Sequence, residues 1–252
     1  MKIFRRFVLC VFSLLGITSY PLAAAETANI AVATNFHNTM KELQHSFESS
    51  YEHKLVVISG ASGQLYAQAL NGSPIDIYLS ADQSRAEALE HSHIGVNGSR
   101  FTYAIGQLVL WAPKGDTIQD WQGILKNAVP DQKIAIANPK LAPYGVAAEQ
   151  VLNSMEILGN RRHQIVMGQN VGQAYAMVTT GNADFGLISQ SYIKDLTPNV
   201  WKIPDDYYSP IKQDAVLLKR AQSNLAAQSF FDFMKSDTAL KIIEENGYQR
   251  AK

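Results

Sequence analysis

One stretch near the N-terminus combines an apolar run, a turn of small residues and a segment of good helix formers. Residues 55–58 predict a strand, residues 59–63 a tight turn, and residues 64–70 a helix. A strand that passes directly into a helix leaves backbone N–H groups unpaired in front of the positive end of the helix dipole. The junction can therefore bind an anion with the help of Ser59 and Ser62, or these serines can simply form the turn and cap the helix.

The same order of strand, turn and helix recurs in the first third of the chain. Residues 29–33 and 75–79 predict two further strands, and Met40, Leu43 and Phe47 have the spacing of one face of a helix. Strict alternation of strands with helices favours a parallel sheet with crossover helices.

A longer apolar run, residues 103–111, predicts a strand that crosses into a second lobe. Residues 133–137, 164–167 and 184–188 predict the strands of that lobe, and residues 214–218 predict a strand that crosses back. The sequence therefore predicts an α/β fold of two lobes, each a mainly parallel sheet flanked by helices, joined by two crossing strands. We place the first lobe at residues 26–103 plus 209–252 and the second lobe at residues 104–208.

The N-terminus has the features of a secretory signal peptide, which we place at residues 1–25. Basic residues precede an apolar core, residues 7–17, and Ala23-Ala24-Ala25 ends the segment. No later stretch approaches the length of a membrane span. Cys10, the single cysteine, lies inside the signal peptide, so we expect no thiol or disulfide chemistry in an exported mature protein.

The charge balance excludes a basic surface for nucleic acid. Without the signal peptide the chain has 19 Lys and Arg against 22 Asp and Glu, a formal net charge near −3. A nucleic-acid-binding domain instead carries clustered Lys and Arg. Hydrophobic residues make up 46% of the chain, enough for one large domain or two small lobes.

Four predicted junctions, two in each lobe, place neutral polar residues at the carboxyl ends of strands. They are Thr34-Asn35, Ser59 to Ser62, Tyr144-Gly145 and Asn170-Val171. Ligands of open α/β sheets bind at this edge, so one anion could be enclosed by both lobes. Dipoles and neutral hydrogen bonds would hold it. A protonated oxyanion would be rejected, because its buried hydroxyl would find few acceptors.

Over essentially its whole mature length, the chain resembles the molybdate-binding proteins of ABC importers, which belong to the two-lobed periplasmic binding-protein family. The resemblance is carried by IAVATNF at residues 30–36, SGASGQL at residues 59–65, DIYLSAD at residues 76–82 and the Asn170-Val171 turn. It implies a periplasmic, monomeric, non-enzymatic protein without a cofactor or resident metal. Such a protein would capture molybdate, and tungstate as well, and deliver it to a membrane ABC permease.

Matched position by position, the resemblance implies ligand contacts from Thr34, Asn35, Ser62, Tyr144 and Val171, the last through its backbone. The further candidates around them are Ser59, Gly63, Gly145, Asn170 and Ser189. The chain departs from many family members in three places. Ser189 stands where they have a ligand-binding tyrosine, Asn35 where they have a serine, and Tyr144 where they have a small residue. Tyr144 could supply the phenol that Ser189 lacks.

Three other interpretations stay open at this stage. The same fold could bind sulfate, phosphonate or a small organic anion, although organic acids usually recruit an arginine that these loops lack. A serine hydrolase could use Ser62 as its nucleophile, but Gln64 stands where the elbow requires a small residue. A cation site could use histidines, but His91 and His93 are the one close pair, and no further ligands stand at the usual spacing.

Overall fold

The computed structural model of the chain describes residues 25–113, 120–193 and 199–251. The predicted signal peptide, including Cys10, lies outside the described residues except for Ala25. Within the described ranges the strands are β1 (Thr27–Ala33), β2 (Lys54–Gly60), β3 (Ile77–Leu79), β4 (Phe101–Gly106), β5 (Leu108–Trp111), β6 (Ile134–Ala137), β7 (Ile165–Gly168), β8 (Phe185–Ser189), β9 (Val200–Lys202) and β10 (Ile211–Leu217). The helices are α1 (His37–Ser50), α2 (Ser62–Leu70), α3 (Ser84–His91), α4 (Trp121–Asn127), α5 (Pro143–Ser154), α6 (Ile157–Asn160), α7 (Val171–Thr179), α8 (Leu225–Phe233) and α9 (Asp237–Glu245).

These strands form two five-stranded sheets with the same pattern of directions. The first has the order β2-β1-β3-β10-β4 and the second the order β7-β6-β8-β5-β9. In each sheet the first three strands are parallel, as helical crossovers require, and the fourth is antiparallel to both of its neighbours. The predicted two-lobed α/β fold is confirmed, with mixed sheets. We call the elements packed around the first sheet the first lobe, and those around the second sheet the second lobe.

The chain crosses between the sheets at Gln107. The apolar run predicted as one strand is divided here, since β4 pairs with β10 in the first sheet and β5 pairs with β8 in the second. Gly106 is required at this point because a Cβ on it would collide with Tyr144 Oη and would lie 2.6 Å from Gln213 Nε2. The exact lobe boundaries at residues 103, 104, 208 and 209 stay a prediction.

Each lobe has its own apolar core. In the first lobe, α8 buries Ala226, Phe230 and Phe233, and Met234 directly after the helix is buried with them. The Phe230 ring packs edge-on against Phe47 of α1, with ring centroids 5.3 Å apart. Each sheet is therefore covered mainly by helices of its own lobe, and the two lobes meet at the carboxyl ends of their parallel strands.

Candidate anion-binding site

The first predicted junction is the short 3-10 turn Thr34–Phe36, between β1 and α1. Asn35 is 2% exposed, and no side chain caps the start of α1 at Phe36. The Asn35 amide donates instead to Gln213 Oε1 at 2.8 Å and to Tyr248 Oη at 3.1 Å. Two side chains from distant parts of the sequence therefore fix the orientation of this amide.

The second junction places Ser62 at the first position of α2, where it is 1% exposed. Its Oγ accepts a hydrogen bond from the Ala81 backbone N–H at 3.0 Å, so that bond leaves the hydroxyl proton available to another acceptor. The Gly63 N–H donates to the Leu141 carbonyl at 3.0 Å, which joins the two lobes. Ser59 lies at an exposed position of β2.

The third junction places Tyr144 at the second position of α5, after a proline that suits the first helical turn. Tyr144 is 1% exposed. Its Oη accepts hydrogen bonds from Ser189 Oγ at 2.9 Å and from Gln213 Nε2 at 3.5 Å. With both of these partners donating, the phenol can donate its own proton to a ligand. The next residue, Gly145, packs directly against the end of β6.

The fourth junction is the N-terminus of α7. Asn170 caps this helix by accepting from the Gln173 N–H at 3.0 Å, and Val171, its first residue, is 2% exposed. The first N–H groups of a helix have no partner inside the helix, so those of the first turn can bind an anion. A Cβ built on Gly172 would lie 3.6 Å from Thr34 Cβ, which shows that this helix end faces the first junction across the lobes.

A closed circuit of hydrogen bonds joins two of these junctions, the first and the third, through Gln213, Ser189 and Ser191. Gln213 of β10 links Asn35 to Tyr144, and Tyr144 contacts Ser189 at the end of β8. Ser189 Oγ lies 2.9 Å from Ser191 Oγ, which donates to the Asn35 carbonyl at 2.7 Å. The side chains that the circuit holds in place come from both lobes.

The titratable side chains of this network are tyrosines, and burial keeps them neutral. Tyr103 joins the network by donating from its Oη to Gln213 Oε1 at 3.0 Å. Burial raises the pKa of Tyr103 and Tyr144 well above the usual value, and that of Tyr248 to about 12. Protonated phenols remain hydrogen-bond donors across the physiological pH range. The network therefore offers an anion neutral donors, and its own charge does not change near neutral pH.

Several members of the network were not predicted from the sequence, above all Gln213, Ser191 and Tyr248. One signal for Gln213 was present, because Ile211 and Gln213 alternate with the exposed Lys212 and so share the inward face of β10. A polar residue at a core position of a strand needs a partner. Ser191 and Tyr248 carry no comparable signal in the sequence.

The sequence profile of the bacterial extracellular solute-binding proteins matches residues 28–249 of the chain. The chain belongs to this family. The molybdate-binding protein ModA of Azotobacter vinelandii is 41% identical over 231 residues, which cover 90% of this chain and 91% of the relative. The protein of the same name from Rhodobacter capsulatus is 39% identical over 229 residues, 90% of each chain. The solved periplasmic molybdate-binding protein of Azotobacter vinelandii has a TM-score of 0.84 at 36% identity, covering 89% of this chain and all of that one.

The predicted family membership is confirmed, and the curated relatives are named as binding proteins. In this solute-binding protein, the hydrogen-bond partner of Ser62 Oγ is a backbone N–H, not a histidine base that would activate a nucleophile. No cluster of His, Cys, Asp or Glu suited to a metal ion occurs within residues 25–113, 120–193 and 199–251. Over the same ranges, no helix is both long and apolar enough to cross a bilayer.

Proposed function

We propose that this solute-binding protein captures molybdate, and also tungstate, between its two lobes and delivers it to a membrane ABC permease. The observation that carries the proposal is the buried network of neutral donors contributed by both lobes, with the N-termini of α2, α5 and α7 beside it. Relatives of 39–41% identity that are named molybdate-binding proteins support the same ligand.

Neutral donors favour a tetrahedral oxyanion that carries no proton. Such an anion accepts hydrogen bonds at every oxygen, whereas hydrogen phosphate would also bury a P–OH group that needs an acceptor. Hydrogen bonds to a charged group contribute about 1.5–3 kcal/mol each. About six such bonds would offset the costs of desolvation and closure and give an affinity on the order of micromolar to nanomolar.

We assign the ligand contacts to Thr34, Asn35, Ser62, Tyr144 and the backbone of Val171. Asn35 would contribute its backbone N–H, because its side-chain amide donates to Gln213 and Tyr248. Tyr144 takes the role of the tyrosine that many family members have where Ser189 stands. This assignment is supported by the Ser189 hydroxyl, which donates to Tyr144 Oη and leaves the phenol proton free. Gly145 lets the start of α5 pack closely against β6, and Asn170 caps the start of α7. The Gly63 N–H donates to the Leu141 carbonyl of the other lobe and is therefore not available to the anion.

The protein acts, in this proposal, as an exported monomer in the periplasm that catalyses no reaction and needs no cofactor or nucleic acid. The predicted signal peptide at residues 1–25 would direct the export. The lobes would open about residues 103–106 and 208–216 to admit the anion and would close before docking on the permease.

Isothermal titration calorimetry tests the ligand. The mature protein, stripped of ligand, is titrated in parallel with molybdate, tungstate, sulfate and phosphate at neutral pH. We expect tight binding of the first two, weak binding of sulfate and no binding of phosphate. Tight binding of sulfate with weak binding of molybdate would contradict the proposed ligand, and an absence of heat with every oxyanion would contradict the whole assignment.

Ser62→Ala is expected to lower the affinity for molybdate by about 10-fold or more, because the variant loses a buried donor to the anion. It also leaves the Ala81 N–H without its acceptor. Ser49→Ala is the matched control, since Ser49 is exposed on α1 and bonds only to the His45 carbonyl in its own helix. An affinity for molybdate that is the same in Ser62→Ala as in the control would remove Ser62 from the site.

A further inference from the structure

A stack of three aromatic rings in the second lobe ends at the contact between the lobes. Tyr192 follows β8 in the 3-10 turn Gln190–Tyr192, and its ring stacks on Tyr175 of α7 with centroids 4.7 Å apart and an angle of 14°. Tyr175 stacks in turn on Trp111 of β5, at 5.2 Å and 19°. All three residues belong to the second lobe, so the orientation of the Tyr192 ring does not depend on the position of the first lobe.

The hydroxyl of Tyr192 reaches across to the first lobe. It donates a 2.8 Å hydrogen bond to the carbonyl of Thr34, in the turn that follows β1. Burial raises the pKa of this phenol, so it stays protonated and able to donate. The neighbouring Ser191 donates to the Asn35 carbonyl in the same turn. Two consecutive side chains of the second lobe thus hold the backbone of the proposed ligand loop.

The space for this contact depends on Gly172. A Cβ at that position would lie 2.8 Å from Tyr192 Oη and 3.2 Å from Asn170 Oδ1, closer than ordinary van der Waals contact. The end of α7 is therefore shaped to let the phenol pass to Thr34. The same helix end carries Val171, so the contact forms beside the proposed anion site.

We propose that Tyr192 is a latch between the lobes: its phenol holds the closed form on the Thr34 carbonyl and slows release of the ligand. This inference rests on the function proposed above and adds to it a positioning residue that acts through Thr34. The stack keeps the ring ordered in the open form, so the bond forms on closure with little further loss of side-chain entropy. Opening of the lobes must break the hydrogen bond between Tyr192 and the Thr34 carbonyl, so loss of this bond should raise the rate at which the ligand dissociates.

Stopped-flow measurement of the intrinsic tryptophan fluorescence during release of molybdate tests the latch. Tyr192→Phe keeps the ring and removes the hydroxyl. We expect molybdate to dissociate about 3- to 10-fold faster, the range for one neutral hydrogen bond, with the association rate within about twofold. The ratio of molybdate to sulfate affinity should not change. Since the bond exists only in the closed form, ligand-free Tyr192→Phe should melt at the wild-type temperature.

Tyr207→Phe is the matched control, because Tyr207 Oη accepts from Gln122 Nε2 at 2.7 Å entirely within the second lobe. We expect wild-type dissociation from this variant. Gly172→Ala should reproduce the fast release of Tyr192→Phe, since the added methyl displaces the phenol. If molybdate leaves Tyr192→Phe at the same rate as it leaves the control, the latch is wrong. The latch is also wrong if Tyr192→Phe lowers the melting temperature equally with and without ligand, because the hydroxyl would then stabilise the fold and not the closed form.

A distance measurement separates failure of the latch from failure of the proposed ligand. The mature chain has no native cysteine, so Ala67→Cys and Thr179→Cys, both at exposed positions and one in each lobe, can carry a pair of spin labels. If the wild type binds no oxyanion but shows the label-to-label distance of the closed form, the proposed ligand is wrong. In that case the latch is supported only if Tyr192→Phe lowers the fraction of molecules with the closed distance. A wild type that never shows the closed distance would overturn the latch as well.

Discussion

Replacement of Asn35 by aspartate is expected to weaken molybdate binding by about 100-fold or more at neutral pH. The side chain keeps its size but loses the N–H groups that donate to Gln213 and Tyr248. It also places a negative charge in a buried site. A charge within about 5 Å of a bound anion costs roughly 3 kcal/mol at an effective dielectric constant of 20, and each 1.4 kcal/mol is tenfold in affinity.

The pH dependence of this variant gives a second readout. Burial without a cationic partner raises the pKa of the introduced carboxyl above the unfolded value. The free-energy cost of the buried charge is absent below the pKa that the carboxyl has in the unfolded chain. This cost grows as the pH rises from that value to the higher pKa of the folded protein, and it is complete above the second value. Binding and stability of Asn35→Asp should therefore recover partly as the pH falls from about 7 to about 5, a range in which molybdate stays unprotonated and the wild type binds tightly.

Asn71→Asp is the control for Asn35→Asp. Asn71 is exposed at the end of α2 and bonds to the Ala67 carbonyl, so its replacement changes the net charge equally without touching the site. Calorimetric titration with molybdate at both pH values measures the effect. Equal affinities of the two variants at neutral pH would show that Asn35 does not face the anion and would move the proposed site away from the turn after β1.

The junctions could be predicted from the sequence because their signals are local. A strand, a turn of small or polar residues and a helix are encoded within about 15 residues, as in the stretch from β2 through α2. The edge of the sheet on which the junctions meet follows from the rule for α/β folds. The candidate residues Thr34, Asn35, Ser62 and Tyr144 could thus be named, although their roles as ligands stay a proposal.

The supporting network could not be predicted, because its members are far apart in the sequence. Asn35 is separated by 178 residues from Gln213 and by 213 residues from Tyr248. Neither periodicity nor composition carries information over that distance. The division of residues 103–111 into two strands at Gln107 also involves residues that are distant in the sequence. Tyr144 and Gln213 leave no space for a side chain at Gly106.

Gly145→Ala is expected to destabilise the protein and weaken molybdate binding together. Alanine would gain up to about 1 kcal/mol in helix propensity. Its Cβ would collide with the Ala137 carbonyl and lie 2.7 Å from Pro139 N. Both are backbone atoms, which cannot swing away, and overpacking of this kind costs about 1–3 kcal/mol. The collision outweighs the propensity, so we expect a melting temperature lower by about 2–8 °C.

The effect of Gly145→Ala on affinity follows from the position of Tyr144 on the same helical turn. If α5 moves away from β6, Tyr144 Oη leaves its hydrogen bonds to Ser189 and Gln213, and we expect the affinity for molybdate to fall by about 10-fold or more. Gly159→Ala is the matched control, because no atom lies within 4 Å of a Cβ at that exposed position. It should be neutral or slightly stabilising. A Gly145→Ala protein with the melting temperature and affinity of this control would show that α5 is not held against the end of β6.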